Sequence, residues 1–345
     1  MRPLTLGRLL LQCFILAVIL FGVMVLALKF GAIHVSLYGL GRNLLRVFLG
    51  RSTEIASDYS LILNIRLPRI LLGTFVGASL AVAGTSFQAL LRNPLADPYV
   101  LGVSSGAALG AILAFILEPH LALSPEIAAV FTPIFAFLGG VLAIAAVYFL
   151  GRRNGAIDST TLLLGGVITA SFLSALIILL FTTLPSSAVR SMSFWLMGEL
   201  QYAPTRTLSY ILRIGFLLCT GIIYATASDL NLLLSGEKEA AHLGVDVNRV
   251  RIVVYLAASA LTGLAVSVSG AIGYVGILVP HVMRMIYGAD HRTLIPAAAF
   301  GGAIAVVMAD TFARTIVAPS ELPVGAITAM AGAPLFIYLL RRRLA

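Results

Sequence analysis

Residues 66–106, RLPRILLGTFVGASLAVAGTSFQALLRNPLADPYVLGVSSG, carry charged and polar groups at both ends of one long apolar run. The run, at residues 67–91, is long enough to cross a hydrocarbon core about 30 Å thick as a helix. Arg66 and Arg69 lie at its start, where each cation beside the positive end of the helix dipole costs about 0.3–1 kcal/mol. We therefore expect a partner, rather than the stability of this helix, to explain the two arginines.

Similar apolar runs recur along the whole chain of 345 residues, which is 60% hydrophobic and only 11% charged. Soluble domains carry about 25% charged residues, so the composition is typical of an integral membrane protein. The runs lack the alternation of barrel strands, which favours an all-α fold in a single domain, residues 1–345. The predicted spans, about ten in number, lie at residues 9–32, 67–91, 100–118, 126–150, 160–184, 206–227, 250–270, 272–288, 294–317 and 322–341.

The distribution of arginines indicates the orientation of these spans. An even number of spans places both termini on one side, and short cytoplasmic segments carry an excess of positive charge. The turns around Arg152 and Arg284 and the arginines at residues 341–343 lie on the side of the termini. We predict that both termini are cytoplasmic, which leaves Arg66 and Arg69 on the outer side.

Small residues recur within the predicted spans. Gly73 with Gly77, and Gly106 with Gly110, form GxxxG steps. Such steps let helix backbones approach closely in lipid, where the hydrophobic effect does not drive helices together. We expect these glycines to mark helix–helix contacts.

The largest polar segment that we assign to the cytoplasmic side is residues 229–251, DLNLLLSGEKEAAHLGVDVNRVR. Its pattern predicts a short helix over residues 236–243, with Ser235 as a candidate N-cap and Gly244 as its stop. A helix of two turns is not stable alone in water, so it must pack against the membrane helices or a partner. A solvated connector is the alternative.

Several kinds of catalytic and cofactor site are absent from the sequence. Lys29 and Lys238 are the only lysines, and no GxxxxGK[ST] loop occurs, so the chain has no Walker-type nucleotide site. The histidines lack metal-ligand spacing, and no Ser, His and acid set suggests catalysis. No basic cluster with interleaved aromatics indicates nucleic-acid binding. We predict no catalytic residue, metal site or cofactor in this chain.

The clear intramembrane acid is Asp310, and Arg314 follows it four residues later on the same helix face. We interpret the two as a structural ion pair, with a proton relay as the alternative. An ion-coupled secondary transporter would need such an acid and is the rival functional class. A membrane-embedded enzyme is a more distant rival, because no catalytic set is present.

Long motifs spread over essentially the whole chain resemble one family, the permease subunits of type II ABC importers. Members of this family take up iron chelates (siderophores), haem or cobalamin. In chain order the motifs are RLPR at residues 66–69, RNPLADPYVLGVSSGAALGA at 92–111, GAIGYVGILVPHVMR at 270–284, ADHR at 289–292, ADTFART at 309–315 and ELPVGAITAMAGAPLFIYLL at 321–340.

The resemblance implies a ten-helix permease fold with both termini cytoplasmic, as a multi-pass protein of a bacterial or archaeal cytoplasmic membrane. Family members work with two cytoplasmic ATPase subunits, which bind the ATP and Mg²⁺, and with an extracytoplasmic substrate-binding protein. A second permease copy completes the assembly, and both a homodimer and a heterodimer remain open. The substrate pathway is expected along the fifth and tenth spans, and the sequence does not choose among the substrates.

The resemblance also implies contact sites at both membrane faces. Arg66, Arg69 and Arg314 match arginines that meet acidic residues of the binding protein. Snorkelling to lipid phosphate is the alternative for the first two.

On the cytoplasmic side, residues 229–251 match the coupling helices that dock on the ATPase. Ser159 and Thr160 match an inner gate between the two permease copies. The residues that we assign to the ATPase contact are Ser235, Gly236, Glu237, Glu239, Ala240, Leu243 and Gly244.

Overall fold

The computed structural model describes residues 5–30, 39, 62–153, 156–157, 159–200 and 204–344, and this part of the chain is mostly helical. Its α-helices are α1 (Leu6–Lys29), α2 (Leu67–Leu90), α3 (Val103–Leu117), α4 (Pro125–Gly151), α5 (Ser159–Phe181), α6 (Ser186–Met197), α7 (Arg206–Ala225), α8 (Ala227–Ser235), α9 (Glu237–His242), α10 (Val247–Ser269), α11 (Val275–Tyr287), α12 (His291–Thr315) and α13 (Val324–Leu344). Single helical turns lie at Ile62–Arg66, Pro98–Leu101 and Glu118–His120, and strands β1 (Arg152–Arg153) and β2 (Ala156–Ile157) pair antiparallel.

Eight helical segments in the described part of the chain are long and apolar enough to span a membrane. They are α1, α2 with the turn before it (Ile62–Leu90), α3 with the turn after it (Val103–His120), α4, α5, α7, α10 and α12. The shorter apolar helices α11 and α13 lie at the eighth and tenth predicted spans. Helices therefore occur at all ten predicted positions, and their ends agree to about one turn within the described residues. The sequence did not predict α6 or α8, nor the two short strands.

Helix α2 forms the centre of the bundle. It packs against α10, α11 and α12. Of the residues in its most apolar stretch, 83% are buried, compared with 17% in α1. A Cβ atom placed on Gly77 would lie 2.1 Å from the carbonyl oxygen of Gly302 in α12, so no larger residue fits without moving a backbone. The two helices therefore touch backbone to backbone.

The other predicted glycine steps divide into two kinds. Gly106 and Gly110 of α3 abut the backbone of α4 at Gly139 and Phe135, which confirms the predicted close contact between helices. Gly73 faces only side chains, the nearest at 3.3 Å from the position of a Cβ atom. Of the two glycines in the GxxxG motif of α2, only Gly77 therefore makes a close backbone contact.

Residues 270–274, between α10 and α11, are not helical, and this break explains why the eighth predicted span is short. Non-helical backbone among membrane helices needs internal hydrogen bonds. The Tyr99 hydroxyl provides two, donating to the carbonyl of Ile272 and accepting from its N–H, both at 3.0 Å. Just after the break, Gln88 of α2 donates to the carbonyls of Gly276 and Ile277, in the first turn of α11, at 3.3 and 3.2 Å. The break is thus held by side chains from elsewhere in the fold.

Candidate functional site

The first candidate site lies where the start of α2 meets the end of α12. Arg69 donates from Nε and NH2 to one oxygen of Asp310, both at 2.9 Å, and from NH1 to Glu321 at 2.7 Å. Arg314 donates from Nε to the other oxygen of Asp310 at 3.0 Å. We call these four residues the Arg69 cluster. It joins α2, α12 and the loop that leads into α13.

Burial divides the members of the Arg69 cluster. Arg69, Asp310 and Arg314 are 7%, 1% and 6% exposed, whereas the side chain of Glu321 is 38% exposed. Two cations face two carboxylates, so the cluster is neutral, as buried charges require. Arg314 NH2 is buried and has no hydrogen-bond partner among the described residues. Glu321 is therefore the member that a molecule in solution can reach.

Arg66 lies beside this cluster and is half-buried. It donates from NH1 to the carbonyl of Leu28, in the last turn of α1, at 2.9 Å. A helical turn, Ile62–Arg66, precedes α2, so Arg66 is not the first residue with helical backbone. The dipole cost that the sequence suggested is correspondingly reduced, because that cost is concentrated in the first turn.

The structure thus brings Arg69 and Arg314 together through Asp310, which the sequence paired with Arg314 alone. Glu321 was missed, because it lies 252 residues from Arg69. The available signal was an acid in the ELPVG motif, immediately before an apolar run. The docking role of Arg66, Arg69 and Arg314 stays a prediction. In the fold, Asp310 already serves as a counterion for Arg69 and Arg314.

The second candidate site lies at the other end of α2. Glu237, the first residue of α9, forms ion pairs with Arg251 of α10 and with Arg92, which follows α2, the latter at 3.3 Å. The side chains of Glu237 and Arg92 are 46% and 36% exposed. We call these three residues the Glu237 cluster. Because α2 has 24 residues, the two clusters lie roughly 35 Å apart along it.

Ala240 anchors α9 to the membrane helices. It is fully buried, in an apolar cluster that includes Leu230 and Leu233 of α8 and Val250 of α10. This contact agrees with the expectation that so short a helix must pack against something. The exposed remainder of α9 and the turn after it is available to a partner, and includes Glu239, Leu243 and Gly244.

The predicted N-cap of this short helix was wrong. Ser235 is the last residue of α8, and Gly236, with φ +140°, occupies the cap position of α9. The chain turns sharply between the two helices, and this backbone conformation favours glycine. The predicted stop at Gly244 is confirmed by its φ of +88°, which follows the last turn of α9. Asp246 then caps α10 by accepting from the N–H of Arg249 at 3.0 Å.

The turn after α2 lies beside α9. Arg92 has a positive φ of +48°, and the Asn93 side chain accepts from the N–H of Leu95 at 2.9 Å. Asp97 accepts from the N–H of Tyr99 at 3.0 Å, and burial raises the pKa of Asp97 to about 6. The turn therefore has a defined shape next to the exposed face of α9.

A model described as the FecCD transport family matches residues 15–342 of the chain. The chain belongs to this family. The haemin transport system permease protein of Yersinia pestis is 44% identical over 286 residues, which cover 81% of this chain and 83% of that protein. The cobalamin import system permease protein of Halobacterium salinarum is 42% identical over 280 residues, covering 81% and 73%.

Two further comparisons cover nearly the full length of this FecCD chain. The Fe(3+)-citrate import system permease protein of Bacillus subtilis is 35% identical over 337 residues, covering 97% of this chain and 96% of that protein. A solved structure, titled as a metal-chelate type ABC transporter in an inward-facing conformation, has a TM-score of 0.80 and 31% identity, covering 96% and 99%. The helical permease fold of that structure is therefore shared by this chain over the 96% that it covers.

The remaining predicted sites of this FecCD chain are less defined. Ser159 begins α5 and Thr160 follows it with an exposed side chain. A gate at these residues needs a second copy of the permease and stays a prediction. In the described part of the chain, no three His, Cys, Asp or Glu residues could together hold a metal ion.

Proposed function

We propose that this chain is the permease subunit of an ATP-driven ABC importer that moves an iron chelate, haem or cobalamin across the cytoplasmic membrane of a bacterium or archaeon. The family match over residues 15–342 carries the proposal. Relatives named for haemin, cobalamin and ferric citrate support this range of substrates. Two ATPase subunits, a substrate-binding protein and a second permease copy would complete the importer.

The proposed orientation places the Arg69 cluster outside the cell and the Glu237 cluster in the cytoplasm. The arginines at residues 341–343 and in the turns at Arg152 and Arg284 support this orientation through the positive-inside rule. One end of α2 then lies at the proposed contact with the substrate-binding protein, and the other end lies at the proposed contact with the ATPase.

On the outer side, we assign docking of the binding protein to Arg66, Arg69 and Arg314. The half-buried Arg66 is the cation that an approaching carboxylate reaches first, whereas the exposed Glu321 occupies Arg69 and would compete with that carboxylate. Charge–charge attraction at such a rim accelerates and orients association more than it strengthens the final complex. A loaded binding protein would thus be steered onto this face before closer contacts form.

On the cytoplasmic side, we assign the ATPase contact to the exposed face of α9. The helix is attached to the permease through Ala240 and the Glu237 cluster. Movement of the ATPase would therefore be passed to α2 and α10, to which this cluster binds. ATP and Mg²⁺ would bind on the partner subunits, as no Walker loop is present in this sequence.

An ion-coupled secondary transporter is the less favoured function. Its coupling acid must exchange an ion with water during each cycle. Asp310 is 1% exposed, and both of its oxygens accept hydrogen bonds from arginines. This environment supports a structural role for the acid.

Reconstitution of the complete complex tests the proposed function. Proteoliposomes containing the permease, its ATPase and the binding protein should accumulate the substrate only when ATP and the loaded binding protein are both present. A hydrolysis-deficient ATPase is the control, and comparison of a ferric siderophore, haem and cobalamin identifies the substrate. Uptake by the purified chain alone, driven by an ion gradient, would assign it to secondary transport instead.

A further inference from the structure

The start of α12 is held by a side chain from α8. The amide nitrogen of Asn231 donates to Asp290 at 2.7 Å, and its oxygen accepts from the backbone N–H of His291 at 2.9 Å. The same oxygen lies 2.7 Å from Nδ1 of His291. The Asn231 carboxamide thus donates to Asp290, the cap residue of α12, and accepts from His291, the first residue of that helix.

These bonds complete the N-terminus of α12, where the first backbone N–H groups have no partner within the helix. Asp290 accepts from the N–H of Arg292 at 3.0 Å, and Asn231 accepts from that of His291. The Asp290 carboxylate also binds the Arg292 side chain, and these hydrogen bonds lower the pKa of Asp290 to about 2. Asn231 is therefore a second cap, supplied from outside the helix.

The geometry also determines the hydrogen positions. Because the Asn231 oxygen only accepts, Nδ1 of His291 must carry the proton that faces it. His291 is 1% exposed, and its Nε2 atom has no partner among the described residues. If α8 moved away from α12, a buried N–H group and a buried imidazole would lose their partner.

Helix α12 leads from this contact to the Arg69 cluster. Its 25 residues extend over roughly 37 Å, and Asp310 and Arg314 lie near its far end. Helix α8 leads through Gly236 directly into α9, which bears the proposed ATPase-contacting face. Asn231 therefore connects the element that would contact the ATPase with the helix that carries the proposed docking residues.

We propose that Asn231 is a positioning residue for transport, through which displacement of α8 and α9 moves α12 and the Arg69 cluster at its far end. This inference rests on the proposed ABC importer function. The Asn231 contact is directional and partly buried, so it would make α8 and α12 move together. The ion pair between Glu237 and Arg92 is more exposed and is screened by water and salt.

The test uses the full complex with Asn231→Ala, Asn231→Asp and the exchange variant Asn231→Asp/Asp290→Asn. Ser228→Ala is the control, because Ser228 is exposed on the same helix. Asn231→Asp brings two carboxylates together, whereas the exchange variant restores a carboxamide opposite a carboxylate. It also keeps a good N-cap residue at position 290.

Three quantities are measured: co-purification of the ATPase, substrate transported per ATP hydrolysed, and the change in binding-protein affinity when ATP binds. Asn231→Ala and Asn231→Asp should keep the ATPase and its hydrolysis. Transport per ATP, and the ATP-dependent change in affinity, should each fall by about fivefold or more, the lower end of typical coupling between sites. The exchange variant should recover both, and Ser228→Ala should match the wild type.

Unchanged transport per ATP in an assembled Asn231→Ala complex would overturn the inference. If that variant fails to assemble, the exchange variant decides, because an assembled exchange variant that stays uncoupled also overturns it. A wild-type complex without ATP-driven uptake would instead refute the proposed function. A purely structural cap would change stability without changing the affinity response at the far end of α12.

Discussion

The Arg69 cluster and the Glu237 cluster contain the same kinds of charged group but differ in burial. Arg69, Asp310 and Arg314 are all at most 7% exposed. In the Glu237 cluster only Arg251 is buried, and the side chains of Glu237 and Arg92 are 46% and 36% exposed. Removing one partner of a buried ion pair leaves an uncompensated charge, while an exposed pair is replaced by water at little cost. The Arg69 cluster therefore fixes α2 to α12, and the Glu237 cluster holds α9 more loosely.

The largest effect is expected for Asp310→Asn, which leaves two buried guanidinium groups without the carboxylate that joins them. We expect the unfolding free energy to fall by roughly 3–5 kcal/mol, the cost of breaking a buried ion pair. Thermal unfolding in detergent measures the loss. Glu126→Gln, which removes an exposed carboxylate from the first turn of α4, is the control. Equal unfolding temperatures for the two variants would contradict the role of burial.

Arg66→Glu should weaken docking without unfolding the permease, because Arg66 is half-buried and lies outside the Arg69 cluster. We expect the affinity for the binding protein to fall about tenfold, or about 1.4 kcal/mol, with a smaller effect at high salt. The ATPase should still co-purify. Arg206→Glu reverses an exposed charge at the start of α7 and should have a weaker effect. Normal uptake by the double variant Arg66→Glu/Arg69→Glu would refute the docking assignment.

Glu321→Gln should have a smaller effect of the opposite sign. Glu321 occupies NH1 of Arg69, where a carboxylate of the binding protein would compete with it. Removing this competitor should raise the affinity up to about fivefold, because a partly exposed ion pair contributes at most about 1 kcal/mol. Glu126→Gln makes the same change in net charge. An equal gain in that control would show a general charge effect instead of competition at Arg69.

Glu237→Gln should produce the smallest change in stability. The ion pair with Arg92 is exposed and should contribute at most about 1 kcal/mol. Arg251 is buried, but the introduced amide oxygen can still accept a hydrogen bond from it, and Ala240 still anchors α9. Chemical or thermal unfolding should therefore stay close to the wild type. A loss as large as that of Asp310→Asn would remove the contrast between the two clusters.

Local sequence features predicted the helices and the coupling segment well. Apolar length located the ten helices, and Gly77, Gly106 and Gly110 marked close backbone contacts. Helix α8 was missed because the residues LNLLL suit either a helix or a buried strand. That omission placed the cap at Ser235 instead of Gly236.

Partners distant in the sequence could not be predicted from local patterns. Arg69 contacts Glu321 at a separation of 252 residues, and Asn231 contacts Asp290 at a separation of 59. Spacing rules apply within one helix, as for Asp310 and Arg314, but they do not identify which helices pack together. The shared carboxylate of Asp310 and the second cap on α12 therefore became visible only in the folded chain.

The contact between Gly77 and Gly302 has a mechanical consequence. Side chains between two helices normally act as a compliant layer, because they can change rotamer and absorb a displacement. At this crossing the carbonyl of each glycine lies where the other would carry a Cβ atom, so no such layer exists. A shift of α12 at this crossing would therefore be transmitted directly to the backbone of α2.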